Sequence, residues 1–166
     1  TLGYGGGEFN ARAQHAIFAS KGRLYQILLK HGLPRPITPQ FGELASPAIS
    51  PDNQHVLYVH SYEGKDSLVS ANLDGENFPQ KVAQGADFYM QPVWHPGGKK
   101  IAWVEWDHPQ MPWDGTRLML SDFETHEVLA GDADTPIFQP EFSPDGRYLS
   151  YIAQDGEWER LYVYDL

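Results

Sequence analysis

The sequence contains no cysteine among its 166 residues, which excludes disulfide bonds and metal sites built on thiolates. Only 12 lysines and arginines stand against 22 aspartates and glutamates, so the formal net charge is −10. A surface of this sign repels a phosphate backbone, and we expect no nucleic-acid partner. No apolar run approaches the roughly 18 residues that span a bilayer, so we expect no membrane partner. The lack of cysteine favours a cytoplasmic location.

Aromatic and turn-forming residues, by contrast, are abundant. The chain has five Trp, nine Tyr and eight Phe, together with 16 Gly and 13 Pro. Short apolar segments alternate with clusters of Gly, Pro, Asp and Ser, and no segment shows helical periodicity. This composition is typical of an all-β protein with many turns and not of a disordered chain.

One phrase occurs three times and sets the expected architecture. Its first proline is Pro47, Pro92 or Pro140, so the copies are 45 and 48 residues apart. Self-similarity at this period is typical of four-stranded propeller blades. We predict an all-β fold, a partial β-propeller of about three and a half four-stranded antiparallel blades. The predicted blades are roughly residues 1–40, 41–86, 87–134 and 135–166.

The repeat pattern is incomplete at both ends. Segments 15–20, 23–29 and 34–37 are predicted to be the later strands of a first blade that lacks its first strand. The last blade has three predicted strands before Leu166. An arc of this size does not close into a ring, so we expect the chain to be part of a larger propeller. Two such arcs sum to about seven blades, and self-association through exposed blade edges is a further expectation.

Motifs that carry catalysis or bind metals are absent. No Gly-x-Ser-x-Gly elbow occurs in the 166 residues, so we expect no catalytic residue in this chain. In the 143–146 turn, Ser-Pro-Asp-Gly, proline and Asp-Gly favour a tight turn, so we interpret Asp52 and Asp145 as structural. The glycine-rich run at 3–7 lacks the lysine of a phosphate-binding loop. The seven histidines lack metal-ligand spacing, and we expect neither a metal nor another cofactor.

The most unusual segment is the loop at 106–116, which reads Trp-Asp-His-Pro-Gln-Met-Pro-Trp-Asp-Gly-Thr. Two tryptophans, a methionine, a histidine and two aspartates lie in one loop inside a predicted blade. Large apolar side chains in a loop usually pack against something outside their own hairpin. Two interpretations stay open: a plug between blades or domains, and a wall of a ligand-facing chamber.

Four segments carry a family resemblance: Tyr4-Gly5-Gly6-Gly7, Arg23-Leu24-Tyr25, the 106–116 loop and Pro140-Glu141-Phe142-Ser143-Pro144-Asp145-Gly146. Together they resemble the N-terminal β-propeller of prolyl oligopeptidase-family serine peptidases, and most of all the acylaminoacyl-peptidase and dipeptidyl-aminopeptidase-like branch. The resemblance covers nearly the whole chain. Its most specific element is His-Pro-x-Met-Pro-Trp-Asp-x-Thr. An acidic residue and Leu usually follow this string in the family, whereas Arg117 and Leu118 follow it here.

The resemblance implies a two-domain enzyme. In that family the propeller caps a C-terminal α/β-hydrolase domain, which carries the catalytic Ser, Asp and His, and restricts its chamber to short peptides. The expected partners of this chain are therefore such a domain in the parent protein and short peptide substrates. In related dipeptidyl peptidases, propeller carboxylates recognise the amino terminus of the substrate. By location, the candidate substrate-binding residues are Glu8, Glu105, Trp106, His108, Trp113 and Asp114.

The Ser-Pro-Asp-Gly repeat by itself is shared by TolB-like propellers. The alternative function is therefore a binding module whose output is a protein–protein interaction. The two hypotheses differ in what the parent gene encodes after Leu166. A hydrolase pattern with Gly-x-Ser-x-Gly favours the peptidase, and a few more blades followed by a stop favour the binding module.

Overall fold

The computed structural model describes residues 7–30 and 32–166, which form four antiparallel sheets. Three sheets have four strands and one has three, and each sheet is built from strands that follow one another in the chain. Residues 3–6 of the glycine-rich run lie outside the described residues. Within the described ranges we find no helix of the length and apolarity that a membrane span requires.

The first two sheets form one compact unit, Thr1–Gly85. The first sheet consists of β1 (Phe9–Arg12), β2 (His15–Ser20), β3 (Arg23–Leu28) and β4 (Arg35–Pro36). The second consists of β5 (Glu43–Ile49), β6 (His55–Tyr62), β7 (Lys65–Asn72) and β8 (Gln80–Ala83). The first strands of the two sheets, β1 and β5, lie side by side.

The other two sheets form a second unit, Ala86–Leu166. The third sheet consists of β9 (Phe88–Trp94), β10 (Ile101–Trp106), β11 (Arg117–Ser121) and β12 (His126–Ala130). The fourth consists of β13 (Ile137–Phe142), β14 (Tyr148–Asp155) and β15 (Trp158–Asp165). Here too the first strands, β9 and β13, lie side by side.

Each unit has an apolar core between its two sheets. In the first unit, Ile17 and Leu24 of the first sheet pack with Val56, Tyr58 and Val69 of the second. A second core contains Val104, Leu118, Ile137 and Leu149. The strand β6 is buried on both faces, from Val56 to His60, because apolar residues point to both sides of the sheet.

Each repeated proline lies at a β-bulge in the first strand of its sheet. The preceding residue has a positive φ in all three copies: 51° at Ser46, 51° at Gln91 and 52° at Gln139. The pairing register shifts at the same places. Since proline has no N–H to give to a ladder, a bulge is where a strand tolerates it. The repeated phrase therefore marks an interruption in the pairing of each first strand.

The Ser-Pro-Asp turns are held by a recurring set of hydrogen bonds. Ser143 Oγ donates to Asp145 Oδ1 at 2.5 Å, and Tyr148 N donates to Ser143 Oγ at 2.9 Å. Ser50 and Asp52 make the same bonds in the second sheet. The serine hydroxyl, helped by a backbone N–H, holds the pKa of each aspartate below its ordinary value. Each aspartate carboxylate therefore accepts its hydrogen bonds within its own turn.

The middle copy has His95 in the serine position. Its Nδ1 accepts a hydrogen bond from Gly97 N at 2.9 Å, which leaves the proton on Nε2. Nε2 then donates to the Gly146 carbonyl oxygen at 2.9 Å. The imidazole thereby makes a hydrogen bond within its own turn, as the serine hydroxyl does in the other copies. It also joins the third sheet to the turn of the fourth.

The first sheet has one strand more than the sequence predicts. Phe9–Arg12 forms β1 and pairs antiparallel with β2, from Phe9 opposite Phe18 to Arg12 opposite His15. The prediction of a first blade without its first strand is therefore wrong. β1 has neither the proline bulge nor the Ser-Pro-Asp turn of the later first strands, and three of its four residues are exposed. The pattern that identifies the other first strands is missing here.

Replacing Gly42 by Ala should destabilise the first unit. Gly42 has a φ of +68°, and an added Cβ would overlap the Ser61 carbonyl oxygen and come within 2.6 Å of His60 Nε2. The left-handed conformation costs about 1–2 kcal/mol for a non-glycine residue, and steric overlap adds about 1–3 kcal/mol. Urea unfolding measures the sum.

Gly64→Ala is the matched control for this substitution. Gly64 has a φ of +73°, but no atom of the part of the chain that the structure describes lies within 4 Å of an added Cβ. It should therefore cost the conformational part only, about 1–2 kcal/mol. Equal losses for the two variants would contradict the close approach at Gly42.

Candidate functional site

Arg117, at the start of β11, joins two acidic residues at the end of β10. Its Nη2 lies 3.2 Å from Glu105 Oε1 and 2.8 Å from Asp107 Oδ2. Glu105 lies directly opposite Arg117 in the β10–β11 register, so the two form a cross-strand pair. The other oxygen of Glu105 accepts the indole N–H of Trp103 at 2.8 Å. Both Glu105 oxygens therefore have protein partners.

The ion pairs keep this cluster charged. Burial alone would raise the pKa of Asp107, but hydrogen bonds from Arg117 and from the Asp87 N–H hold it below its ordinary value. Burial also opposes the charged form of Arg117, yet its two carboxylate partners raise the pKa of the guanidinium. One cation thus compensates two nearby carboxylates.

Two aspartates fix the entry to the 106–116 loop, because the carboxylate of each accepts a hydrogen bond from a backbone N–H in the segment of the other. Asp87 N donates to Asp107 Oδ1 at 2.9 Å, and His108 N donates to Asp87 Oδ2 at 2.9 Å. These bonds connect the start of the loop to the segment that precedes β9. The direction in which the loop leaves β10 is therefore set by hydrogen bonds between these two carboxylates and backbone N–H groups.

Phe88, at the start of β9, contacts two aromatic side chains near the entry to the loop. Its ring stacks on Trp106 at a centroid distance of 5.2 Å and meets the edge of His108 at 4.8 Å. Trp106 is buried, whereas His108 is exposed. Within this unit Trp106 thus packs inward, and His108 covers the outer edge of the contact.

The exit of the loop is anchored to the beginning of the fourth sheet. The buried Thr116 hydroxyl accepts a hydrogen bond from Ile137 N at 2.7 Å and donates to the Ile137 carbonyl at 3.3 Å. Beside it, Gly115 approaches the backbone of Ala133 so closely that a Cβ would overlap the Ala133 carbonyl. Only glycine fits this approach.

The tip of the loop is a short hydrogen-bonded turn that carries exposed apolar groups. Asp114 Oδ2 accepts a bond from Met111 N at 2.9 Å, and Asp114 N donates to Met111 O at 2.9 Å. Between them Trp113 is 62% exposed. An indole in this position presents most of its surface to the surroundings while its backbone is held at both ends.

The structure brings five of the six candidate residues into the second unit. Trp106 and His108 meet at Phe88, Glu105 is tied to the loop through Arg117, and Trp113 and Asp114 form the tip. Glu8 belongs to the first unit, where it is exposed and its carbonyl accepts a bond from Ala19 N at 2.8 Å. A role of these residues in substrate binding stays a prediction.

Sequence reasoning missed Asp87, Asp107 and Arg117 as a connected group. The only available signal was the opposite charge of Glu105 and Arg117, which face each other if the hairpin register is known. Asp87 lies 20 residues before Asp107, and no spacing rule connects the two. Among the residues that the structure describes, no cluster of three or more His, Asp or Glu side chains is suited to hold a metal ion.

Comparison with known proteins gives one match among curated sequences and many among solved structures. No family model matches the sequence. The Tol-Pal system protein TolB of Methylobacillus flagellatus is 33% identical over 75 residues, which is 42% of this chain and 17% of that protein. This match covers too little of either protein to assign a family.

Two solved peptidase structures cover nearly the whole chain. A puromycin-hydrolysing peptidase of Mycobacterium tuberculosis superposes with a TM-score of 0.80 and 25% identity, over 95% of this chain and 28% of its own. A puromycin hydrolase gives a TM-score of 0.81 and 26% identity, over 98% and 30%. TolB from Acinetobacter baumannii gives 0.70 and 19% over 92% and 38%, which supports the fold alone.

These similarities identify the fold as a partial β-propeller, as the sequence predicts. They also confirm the resemblance to the propeller portions of prolyl oligopeptidase-family peptidases. The chain spans less than a third of the length of the puromycin-hydrolysing structures that it matches.

Replacing Arg117 by Met removes the cation between Glu105 and Asp107. At pH 7 the free energy of unfolding should fall by about 1–2 kcal/mol, a range that allows for partial solvent screening of a side chain that is 33% exposed. Since the folded-state pKa of Asp107 is lowered, its contribution is present above the unfolded pKa, about 4, and is lost as the pH falls through the folded value. The difference between the two proteins should therefore shrink below about pH 4, as urea unfolding at several pH values will measure.

Arg147→Met provides the control. Arg147 pairs with Asp165 at 3.2 Å, but both side chains are largely exposed, so we expect a loss of less than about 0.5 kcal/mol. If the two arginine variants lose the same stability, or if the Arg117 effect is the same at pH 7 and pH 3, the inferred role of the cluster is wrong.

Proposed function

We propose that this chain is the non-catalytic propeller portion of a serine peptidase that acts on short peptides. In this proposal it gates access to a separate α/β-hydrolase domain of the same parent protein and shapes the substrate chamber. The observation that carries the proposal is the similarity to two puromycin-hydrolysing structures over at least 95% of the chain. Because no Gly-x-Ser-x-Gly occurs in the sequence, the catalytic serine belongs to the rest of the parent protein.

The 106–116 loop is the part of the chain that we assign to the chamber wall. Its entry is held by Asp87 and Asp107, its exit by Thr116, and its tip exposes Trp113. An exposed indole on an anchored backbone contacts apolar peptide side chains at a low cost in conformational entropy. Of the two interpretations of the loop, these features favour the chamber wall for the tip and the plug for Trp106.

Recognition of a peptide amino terminus is assigned to Asp114 in preference to Glu105. Glu105 is compensated by Arg117, and its second oxygen accepts the Trp103 indole N–H. Binding an ammonium group there would require these contacts to break. Asp114 is exposed and uses Oδ2 for the turn, so Oδ1 remains available to a cation. Glu8 remains a candidate in the first unit.

The catalytic part of the proposal is tested with the chain itself. Incubated with puromycin and with aminoacyl and acyl-aminoacyl chromogenic peptides, the isolated chain should release no product, because it supplies no serine nucleophile. The parent protein, expressed from the same gene, is the positive control. Turnover by the isolated chain that a serine-directed inhibitor blocks would refute the proposal.

The gating part is tested in the parent protein with Trp113→Ala. Removing the exposed indole should widen the passage, so kcat/KM for peptides of about ten residues should rise about threefold or more relative to that for a dipeptide substrate. Trp158→Ala is the control, since this indole is also exposed but lies on β15, outside the loop. An unchanged ratio in Trp113→Ala would contradict the chamber-wall assignment.

A TolB-like binding module is the second candidate function. It is favoured by the 33% identity to TolB of Methylobacillus flagellatus over 75 residues. The two candidates predict different parent genes. A stop codon after a few further Ser-Pro-Asp-Gly repeats, with no hydrolase pattern, would establish the binding module.

Self-association through a blade edge is the remaining proposal about partners. Every residue of β15 is exposed, and within the described part of the chain β15 pairs only with β14. Leu161 and Val163 lie on the same face and are 70% and 60% exposed. An apolar strand of this kind is a ready template for another strand. We therefore expect light scattering to detect dimers of the isolated chain at high concentration.

Leu161→Lys combined with Val163→Lys should return the isolated chain to a monomer, because charges on an edge strand oppose pairing. Val128→Lys, on another exposed strand position, is the control. A wild-type chain that stays monomeric at high concentration would exclude this mode of association.

A further inference from the structure

A cavity of about 420 Å³ opens on one face of the second sheet. The register places three pairs on this face: Tyr58 with Val69, His60 with Ser67, and Tyr62 with Lys65. Tyr58 and Val69 belong to the core of the first unit. This face of the sheet is therefore packed at Tyr58 and Val69 and opens into the cavity towards Tyr62 and Lys65. All lining residues lie in the first unit.

The walls of this cavity, which we call the Tyr58 cavity, are aromatic. The Phe41 ring meets His60 edge-on at 4.7 Å and Tyr62 at 5.4 Å. Phe78 lines the cavity from the segment before β8 and is 69% exposed. Aromatic edges and faces arranged in this way accept a further ring.

The floor of the Tyr58 cavity is polar and incompletely bonded. Tyr58 and Ser67 are each 3% exposed, and both line the cavity. Among the described residues, neither hydroxyl has a hydrogen-bond partner. Burial raises the pKa of Tyr58, so its hydroxyl remains a proton donor. Both hydroxyls border a space that a ligand can enter.

His60 contributes an uncharged imidazole to the wall of the cavity. Its Nε2 lies 3.2 Å from the Phe41 carbonyl oxygen, which only accepts, so Nε2 carries the proton and donates. Burial, and to a lesser degree nearby Lys81, lowers the pKa of His60, whereas the Phe41 carbonyl and Asp66 oppose this shift. The imidazole is therefore uncharged at neutral pH.

The charge at the mouth is positive. Lys65 and Lys81 line the cavity together with a single carboxylate, Glu63. Lys81 lies opposite Val69 in the β7–β8 register, and among the described residues its ammonium bonds only to the Gln84 side chain, at 3.2 Å. Two cations against one anion at the opening of an aromatic cavity favour a ligand with a carboxylate.

We propose that the Tyr58 cavity binds small aromatic carboxylates of the size of an N-acylated aromatic amino acid, which is also the C-terminal residue of a peptide. The ligand ring lies between Phe41, Tyr62 and Phe78. The carboxylate meets the lysines, and the amide oxygen accepts hydrogen bonds from the Tyr58 and Ser67 hydroxyls. This proposal concerns the first unit alone and does not depend on the proposed peptidase function.

Calorimetric titration of the chain with N-acetyl-L-phenylalanine tests the proposal. A cavity of this size with one charged contact should give a dissociation constant on the order of 1 mM or lower. N-acetyl-L-phenylalaninamide, which keeps the ring and loses the charge, should bind about fivefold more weakly. N-acetyl-L-alanine, which keeps the charge and loses the ring, should not bind measurably.

Three substitutions assign the contacts. Lys81→Gln should reduce the preference for the acid over the amide, Tyr58→Phe should weaken both about threefold or more, and Phe78→Ala should weaken both about fivefold. Phe78 is exposed and Tyr58→Phe removes only a hydroxyl group, so these two changes leave the fold intact, as melting temperatures will verify. Lys99→Gln and Tyr164→Phe, in the second unit, are matched controls and should change nothing.

The outcomes separate the proposal from its alternatives. Absence of binding, equal affinity for the acid, the amide and N-acetyl-L-alanine, or binding unaffected by all three substitutions would overturn it. Binding of N-acetyl-L-phenylalanine and of a peptide ending in phenylalanine, both weakened by the same substitutions, would support it. A peptide that binds while the free N-acetyl acid does not would show that the cavity needs a longer ligand, contrary to the proposal.

Discussion

A β-sheet that is apolar on both faces is stable only when both faces are covered. β6 is buried on both faces from Val56 to His60, and β10 is buried from Ile101 to Val104. Strands of this kind require sheet-on-sheet stacking in series, which is the arrangement that a propeller provides. Within each unit the first strands of the two sheets, β1 with β5 and β9 with β13, lie side by side in agreement with such stacking.

The sequence predicted the positions of most strands because the same signals recur in each copy. In the first sheet, the predicted segments 15–20, 23–29 and 34–37 correspond to β2 (His15–Ser20), β3 (Arg23–Leu28) and β4 (Arg35–Pro36). β1 was missed because it is short, mostly exposed, and without the proline bulge and the serine–aspartate turn. The bulges themselves were not predicted, since Ser46 before proline shows no visible sign of a positive φ.

The candidate sites differ in how far sequence could reach them. The 106–116 loop stands out because aromatic residues are concentrated in one segment. The contacts that hold it depend on the register of Glu105 and Arg117 and on Asp87 from the segment that precedes β9, and spacing reveals neither. The Tyr58 cavity is assembled from three strands and three connecting segments, and Phe41 and Phe78 are 37 residues apart. Such a site becomes visible only when the register of the strands is known.

The histidine in the middle turn has a consequence for folding fidelity. Hairpins that share one sequence pattern are at risk of exchanging partners, because a copy of similar shape competes for every docking position. His95 completes its hydrogen bonds only when the Gly146 carbonyl of the fourth sheet is in place. In the second sheet the residue at the position of Gly146 is Asn53, and its Cβ would block the imidazole, because a Cβ added at Gly146 would lie 2.5 Å from His95 Nε2. His95 therefore favours the turn of the fourth sheet over the corresponding turn of the second.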